Sequence, residues 1–252
     1  MDHLHIRTSG GVFGFVGQLH GDRPRPALLA INGSFPQKEY LHDLVTVFPG
    51  ANVLIAYLPG MGPPWIPTTL PQLAQGLGEA VRRLVGDVPL VVFSVSTGNL
   101  VGFGLDLPNI TRTIAVEPFF RTADLTPFIA FARDMFRDHP EAGAEHLYLE
   151  ALFGIYADGR LEERDYRHLV RQITVPTDVI VGTDLGPWKG EGEPWPSFTS
   201  NEDRALLESC PHVRLHAVGE GTGHGVAVSD PGKSYVYRLI HQALLEASKR
   251  FA

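Results

Sequence analysis

The stretch VVFSVSTGN, residues 91–99, is the segment that decides the fold of this chain. Three apolar residues lead into Ser94-Val95-Ser96-Thr97-Gly98, which differs from the pattern G-x-S-x-G only in the serine at its first position. A turn that takes a strand directly into a helix crowds the backbone, so the residues flanking its central serine must be small. The segment therefore predicts a strand, a tight turn that carries Ser96, and a helix. The alternative is an ordinary polar loop after a buried strand.

Short apolar runs alternate with helical patterns along most of the chain. This alternation predicts an α/β fold with a mostly parallel eight-stranded sheet flanked by helices on both faces. The central runs are apolar throughout, as expected for strands that are covered on both sides. The first two runs lie close together and predict an antiparallel start. The predicted strands are residues 5–8, 12–19, 27–31, 53–58, 90–94, 110–116, 178–181 and 213–217.

Residues 119–172, which we call the insertion, interrupt this alternation. Their pattern is helical, and aromatic side chains such as Phe128, Phe131 and Tyr156 recur on more than one face of the predicted helices. A helical segment that is apolar on two sides favours a cap over a pocket. The alternative is that the insertion packs only on itself and on the sheet. The predicted organisation is a core of residues 1–118 and 173–252, with residues 119–172 as a helical cap after strand six.

Charge and cysteine content exclude several classes of function. The 252 residues carry a formal net charge of −7, which argues against nucleic-acid binding and against a polybasic membrane anchor. The single cysteine, Cys210, excludes an internal disulfide. The sequence shows no secretory signal and no apolar run long enough to span a bilayer, so we expect a cytoplasmic protein with no membrane partner.

The expected partner is a small-molecule substrate. The 11 histidines are scattered without the spacing of a metal site, so neither a metal nor another cofactor is expected. The oligomeric state stays open, and a homo-oligomer is compatible with the sequence.

Glycine-rich segments follow several of the predicted strands. They are INGSF (31–35), LPGMG (58–62), SVSTG (94–98), VGTD (181–184) and GTGHG (221–225). In this order the chain resembles the α/β-hydrolase superfamily along nearly its whole length, because the family places its nucleophile, acid and histidine in that sequence. The resemblance implies the α/β-hydrolase fold. Besides Ser94, Asn32 departs from the family pattern, since it stands where a histidine is usual, and so does Asn99, where a second glycine is common.

The resemblance implies a catalytic triad of Ser96, Asp184 and His224. A serine hydroxyl is a weak nucleophile until a base takes its proton, and His224 lies in a glycine loop that allows the imidazole to turn back towards Ser96. Asp184 ends VIVGTD, where the family most often has its acid. Glu117, at the end of strand six, is the rival for that role, because hydrolases have also supplied the carboxylate from this position.

The main-chain N–H groups of Thr97 and Ser34 are the predicted oxyanion hole. Thr97 begins a helix, so its N–H has no partner one turn earlier. Phe35, Trp65 and Trp188 are predicted to bind substrate, because they lie in loops past strand ends, at the edge where open α/β sheets bind ligands. For the tryptophans the alternative is that they hold long loops in place.

These residues predict a serine hydrolase that cleaves a small to medium, largely apolar ester or thioester through an acyl-enzyme. An acyltransferase or a carbon–carbon bond hydrolase would use the same triad. A receptor of the same fold that binds a ligand without catalysis is the alternative from another class.

Overall fold

A single eight-stranded sheet forms the centre of the computed structural model, which describes residues 2–21, 25–34, 39–58, 69–139, 141, 143–228 and 230–251. Its strands are β1 (Asp2–Thr8), β2 (Gly11–Gln18), β3 (Ala27–Ile31), β4 (Asn52–Tyr57), β5 (Leu90–Val95), β6 (Ile110–Val116), β7 (Thr177–Val181) and β8 (Val213–Ala217). The strand order is β1-β2-β4-β3-β5-β6-β7-β8. Antiparallel pairing joins β1 to β2 and β2 to β4, whereas the pairs from β4 to β8 are parallel. This confirms the predicted sheet and its antiparallel start.

Helices cover both faces of the sheet. They are α1 (Glu39–Val47), α2 (Leu70–Val85), α3 (Thr97–Phe103), α4 (Thr126–Asp138), α5 (Gly143–Phe153), α6 (Asn201–Glu208) and α7 (Gly232–Ser248). The start of α2 is fixed by a capping box between Thr69 and Gln72. Its buried face holds Leu73, Leu77 and Val81, as the apolar spacing predicts.

Two apolar clusters form the core, one on each side of the sheet. The first joins one sheet face to α2, α3 and the insertion, whereas the second joins the other face to α1 and α7. The strands between these layers have apolar side chains on both faces, and β3 is buried at every position. Within the part of the chain that the structure describes, no helix is both long enough and apolar enough to cross a lipid bilayer.

The insertion is helical, as its pattern predicts. It contains α4, α5 and two 3-10 turns, Thr122–Asp124 and Arg167–Gln172. Phe153 of α5 stacks on Phe119 at 5.5 Å and packs against Phe128 of α4 at 4.4 Å between ring centroids. These aromatic contacts hold α4 and α5 against the first residue of the insertion. The division of the chain into a separate core and cap stays a prediction.

The carboxyl ends of the parallel strands meet at one edge of the sheet. β3 is followed by residues 32–34, β5 by residue 96, β6 by residue 117, β7 by residues 182–184 and β8 by the loop that contains residue 224. In open parallel sheets this edge is where ligands bind. The fold therefore brings Ser34, Ser96, Asp184 and His224 to one side of the sheet.

Candidate active site

Ser96 lies on a strained turn between β5 and α3. Its backbone has φ 53° and ψ −122°, a conformation that costs a residue with a side chain about 1–3 kcal/mol. The turn is tight because α3 packs directly on the end of β3. A Cβ atom at Gly98 would lie 2.5 Å from the carbonyl oxygen of Ile31, so only glycine fits there. Ser96 thus occupies the strand-to-helix turn that its sequence predicts.

Ser94 and Asn99, the two departures from the glycine pattern, are bonded to each other. The Ser94 hydroxyl donates to Oδ1 of Asn99 at 2.7 Å, and Nδ2 of Asn99 donates to the carbonyl of Val116 at 2.7 Å. Both side chains are fully buried. The Val116 carbonyl also accepts the N–H of Ser96 at 2.9 Å. Together these bonds fasten the turn to the last residue of β6.

The loop after β3 lies directly against Ser96. A Cβ atom at Gly33 would come within 3.0 Å of the Cβ of Ser96, so glycine allows this close approach. Oδ1 of Asn32 accepts the N–H of Gly33 at 2.9 Å, whereas its buried Nδ2 has no hydrogen-bond partner among the described residues. The histidine that the resemblance leads one to expect here is thus replaced by a side chain that braces its own loop.

Ser34 and Thr97, the predicted oxyanion residues, contact each other through their side chains. Their hydroxyl oxygens lie 2.5 Å apart, and the Ser34 hydroxyl is also 2.7 Å from the phenol oxygen of Tyr148 in α5. Burial raises the pKa of Tyr148 to about 12, against the opposing effect of its bonds to Ser34 and Thr97. The phenol therefore stays protonated at neutral pH. Sequence reasoning missed Tyr148.

His224 faces Glu117. The Nδ1 atom of His224 lies 3.5 Å from Oε2 of Glu117, and this ring nitrogen is buried without a hydrogen bond to any described residue. The contact is therefore an approach of the two groups rather than a formed hydrogen bond. The ring packs on Phe198 at 4.2 Å between centroids, and the main-chain N–H of His224 donates to the carbonyl of Trp195 at 3.0 Å.

Glu117 is a completely buried carboxylate at the end of β6. Its backbone has φ 50°, the left-handed region, which turns the residue away from the strand direction. Oε1 accepts the N–H of Gly182 at 2.5 Å and the hydroxyl of Ser197 at 2.9 Å, and Oε2 accepts the N–H of Phe198 at 3.0 Å. Such donors stabilise the charged form of a buried carboxylate.

Arg204 supports this carboxylate through Ser197. Its Nη2 donates to the Ser197 hydroxyl oxygen at 2.9 Å and to the carbonyl of Gly182 at 2.7 Å. Burial lowers the pKa of Arg204, and the negative charge of Glu117 opposes that shift. The guanidinium of Arg204 therefore contacts two of the residues that donate to Glu117, rather than the carboxylate itself.

Asp184 is not brought to His224. Its Oδ1 accepts the N–H of Gly186 at 2.9 Å, within its own turn, and its side chain is partly exposed. Ion pairing within 4.0 Å joins His224 to Glu117, and no such pair joins it to Asp184. The structure thus places Glu117 against His224, where the sequence led us to expect Asp184. The reason is that Gly182 and Thr183 separate Asp184 from the end of β7, whereas Glu117 follows β6 directly.

A cavity of about 750 Å³ lies over Ser96 and His224. Its aromatic and aliphatic lining comes mostly from the insertion and from the loop after β7, whereas the loops after β3, β5 and β8 supply the polar residues and glycines. The lining residues are Asn32, Gly33, Ser34, Val95, Ser96, Thr97, Phe119, Leu125, Phe128, Phe131, Phe153, Pro194, Trp195, Phe198, Gly221, Thr222, Gly223, His224, Gly225 and Val228. Ser96 and His224 face the same cavity without a direct hydrogen bond between them.

The substrate-binding predictions meet different outcomes. Trp188 is absent from the described cavity wall, and its buried Nε1 has no hydrogen-bond partner among the described residues. Trp195, from the far end of the same loop, lines the cavity instead. Phe35 and Trp65 lie outside the described residues. Both Trp188 and Trp195 lie in the proline-containing loop after β7. The sequence therefore indicates that this loop could contact a ligand, but it does not indicate which of the two tryptophans does so.

The described wall carries one titratable side chain, His224. Lysine, arginine and carboxylate side chains are absent from that part of the wall, so it offers no ion pair to a charged substrate. Across the described ranges of the chain, no group of three or more His, Cys, Asp or Glu side chains lies close enough to hold a metal ion.

Several solved structures resemble this fold over nearly the whole chain. An enol-lactonase from Burkholderia xenovorans LB400 superposes with a TM-score of 0.66 at 16% identity, over 96% of this chain and 100% of that one. A thermophilic esterase from Thermogutta terrifontis superposes with a TM-score of 0.63 at 17% identity, over 98% of this chain and 100% of that one. The thioesterase domain from the Curacin biosynthetic pathway gives 0.62 at 14% identity, over 95% and 99%. No family model and no curated protein matches the chain.

Proposed function

We propose that this chain, which has the α/β-hydrolase fold that its motifs predicted, is a serine hydrolase. It cleaves esters or thioesters with an uncharged, bulky and largely apolar acyl group. One observation carries the proposal. Ser96, on a strained turn, lines the same cavity as His224, whose Nδ1 lies 3.5 Å from the buried carboxylate of Glu117.

Acyl transfer to Ser96 is the first half of the reaction. Nε2 of His224 takes the hydroxyl proton while Oγ of Ser96 attacks the substrate carbonyl carbon. The main-chain N–H groups of Ser34 and Thr97 hold the resulting oxyanion, and one such donor is typically worth about 3–4 kcal/mol of the barrier. The bond to the leaving oxygen or sulfur then breaks, and His224 returns the proton to the departing alcohol or thiol.

Hydrolysis of the acyl-enzyme is the second half. A water molecule loses its proton to Nε2 of His224 and attacks the Ser96 ester. Collapse of the second tetrahedral intermediate releases the carboxylic acid and restores the Ser96 hydroxyl. Neither half of the reaction requires a cofactor.

Glu117, rather than Asp184, is the acid of this proposal. Its carboxylate faces Nδ1 of His224 and would fix the ring tautomer and stabilise the imidazolium that forms. The 3.5 Å separation is compatible with that role, because catalytic hydrogen bonds are often long in the absence of substrate.

The cavity wall supports the substrate class. Aromatic rings from Phe128, Phe153 and Trp195 lie around the space above Ser96, and the described wall has no fixed charge. Burying an apolar acyl group against these rings is favourable by about 25 cal/mol for each Å² removed from water. A substrate carboxylate would lose its hydration there without gaining a cationic partner.

A fluorophosphonate probe and a pair of nitrophenyl esters test the proposal. We expect one probe molecule to attach to Ser96, located by peptide mass spectrometry, and no attachment in Ser96→Ala. We also expect nitrophenyl phenylacetate to be hydrolysed much faster than nitrophenyl hydrogen glutarate, which places a carboxylate in the acyl group. A folded wild-type protein that neither reacts with the probe nor hydrolyses neutral esters would instead support the receptor alternative.

A further inference from the structure

A set of three hydroxyl groups lies behind the proposed oxyanion hole. The Ser34 hydroxyl is in its centre, 2.5 Å from Oγ1 of Thr97 and 2.7 Å from the phenol oxygen of Tyr148. We call these three groups the hydroxyl trio.

The trio joins three separate parts of the chain. Ser34 belongs to the loop after β3, Thr97 begins α3 after the nucleophile turn, and Tyr148 lies in α5 of the insertion. The first two residues each supply one of the two proposed N–H donors. Tyr148 is 114 residues from Ser34 along the chain, so only the folding of the insertion over the sheet brings its phenol here.

Tyr148 is held rigidly at this position. Its side chain is 1% exposed, and its ring packs on Phe153 at 5.8 Å between centroids. Tyr148 is not part of the described cavity wall, so its phenol reaches the reaction through Ser34 and Thr97 rather than by touching substrate. A buried hydroxyl network of this kind restricts the movement of the groups that it joins.

We propose that Tyr148 is a positioning residue that holds the Ser34 and Thr97 backbones so that their N–H groups converge on the oxyanion. The inference rests on the proposed function. It links the insertion to the chemical step, because the phenol of α5 bonds to the Ser34 hydroxyl, which in turn bonds to Thr97. A donor that is displaced by a fraction of an ångström loses most of its value in the transition state while substrate binding hardly changes.

Tyr148→Phe removes the hydroxyl and keeps the ring. We expect kcat for a nitrophenyl ester to fall by about 10-fold to 30-fold, with KM within twofold of the wild-type value, because the oxyanion forms only in the transition state. Inhibition by an arylboronic acid, which forms a tetrahedral adduct with Ser96, should weaken by the same factor as kcat/KM. Inhibition by an uncharged amide analogue of the substrate, whose planar carbonyl resembles the ground state, should be unchanged.

Tyr166→Phe is the matched control. Tyr166 is another buried phenol of the insertion, 9% exposed, and it donates to the carbonyl of Leu152 at 2.9 Å rather than to a member of the trio. Burial raises its pKa to about 12 as well. This variant should lose a similar amount of stability, measured by thermal unfolding, and keep kcat within twofold.

Ser34→Ala provides a second test that does not depend on Tyr148→Phe folding well. It removes the Ser34 hydroxyl from its contacts with Thr97 and Tyr148 and keeps the Ser34 N–H, so kcat should fall by a similar factor. In the Tyr148→Phe/Ser34→Ala double variant, kcat should be little lower than in either single variant, because both substitutions break the same contact.

Three results would overturn the inference and leave the hydrolase proposal standing. They are unchanged kcat in both single variants, an equal loss of kcat in Tyr166→Phe, and a rise in KM without a fall in kcat. A wild-type protein without turnover and without probe labelling at Ser96 would overturn both.

Discussion

The ends of β6 and β7 are neighbours in the sheet, but the acidic residues that follow them differ in burial and in hydrogen bonding. Glu117 follows β6 directly, is completely buried, and accepts hydrogen bonds from Gly182, Ser197 and Phe198. Asp184 follows β7 after two intervening residues, is partly exposed, and bonds within its own turn. Both are acidic residues past a strand end, yet only one faces the histidine.

The loop after β7 produces this difference. Its far end folds back so that Ser197 and Phe198 bind the Glu117 carboxylate, while the Trp195 carbonyl accepts the N–H of His224. The same loop therefore contacts both Glu117 and His224, although its own Asp184 bonds elsewhere. The position of an acidic residue after a strand is thus a weaker guide to its role than the path of the loop that covers it.

The largest expected effect separates the two carboxylates. Glu117→Gln should lower kcat for a neutral nitrophenyl ester by about 10³-fold or more, because loss of the carboxylate leaves His224 without an anion to orient it and to stabilise its protonated form. The kcat of Asp184→Asn should stay within threefold of the wild-type value. Circular dichroism establishes that both variants are folded. The reverse ranking would restore Asp184 as the acid.

The two tryptophans of the β7 loop give the next effect. Trp195 lines the cavity, whereas Trp188 does not belong to its described wall. Trp195→Ala should lower kcat/KM for nitrophenyl phenylacetate by about 10-fold, equivalent to about 1.4 kcal/mol of lost apolar contact. Trp188→Ala should change it by less than twofold. Steady-state kinetics measure kcat/KM for both variants. Equal losses of kcat/KM would mean that the whole loop after β7, and not only its far end, forms the binding wall.

The hydrogen bonds that tie the Ser96 turn to β6 predict that the effects of Ser94 and Asn99 on stability are coupled. Ser94→Ala and Asn99→Ala should each destabilise the protein, because each leaves a buried polar partner unsatisfied at a cost of about 1–3 kcal/mol. The double variant should lose about 1 kcal/mol less than the sum of the single losses. Urea unfolding of the four proteins measures this difference. Strict additivity would contradict the direct Ser94–Asn99 bond.

The smallest expected effect concerns the donors to Glu117. Ser197→Ala removes one of them and leaves the N–H groups of Gly182 and Phe198, so kcat should fall only about threefold to tenfold. Ser200→Ala is the control, since it removes the cap of α6 at a cost of about 1 kcal/mol in stability. Its kcat should match the wild type. A Ser197→Ala variant with unchanged kcat would show that the two main-chain donors suffice.

Local sequence pattern by itself determined the sheet and the nucleophile turn of this molecule. A buried apolar run followed by Ser96 between small residues allows little besides a strand, a tight turn and a helix, because larger flanking side chains would collide with β3. The alternation of apolar runs likewise required strands covered on both faces. Ser94 and Asn99 are only five residues apart in the sequence, but their mutual bond is visible only in the fold.

Tertiary structure alone decided which carboxylate faces His224, which tryptophan lines the cavity and which segment Tyr148 contacts. Glu117 meets Ser197 across 80 residues, and Tyr148 meets Ser34 across 114. Secondary-structure periodicity reports which face of an element is buried, but not which loop returns to that face. Contacts of this kind depend on the packing of the insertion and of the β7 loop over the strand ends, and that packing is a property of the whole chain.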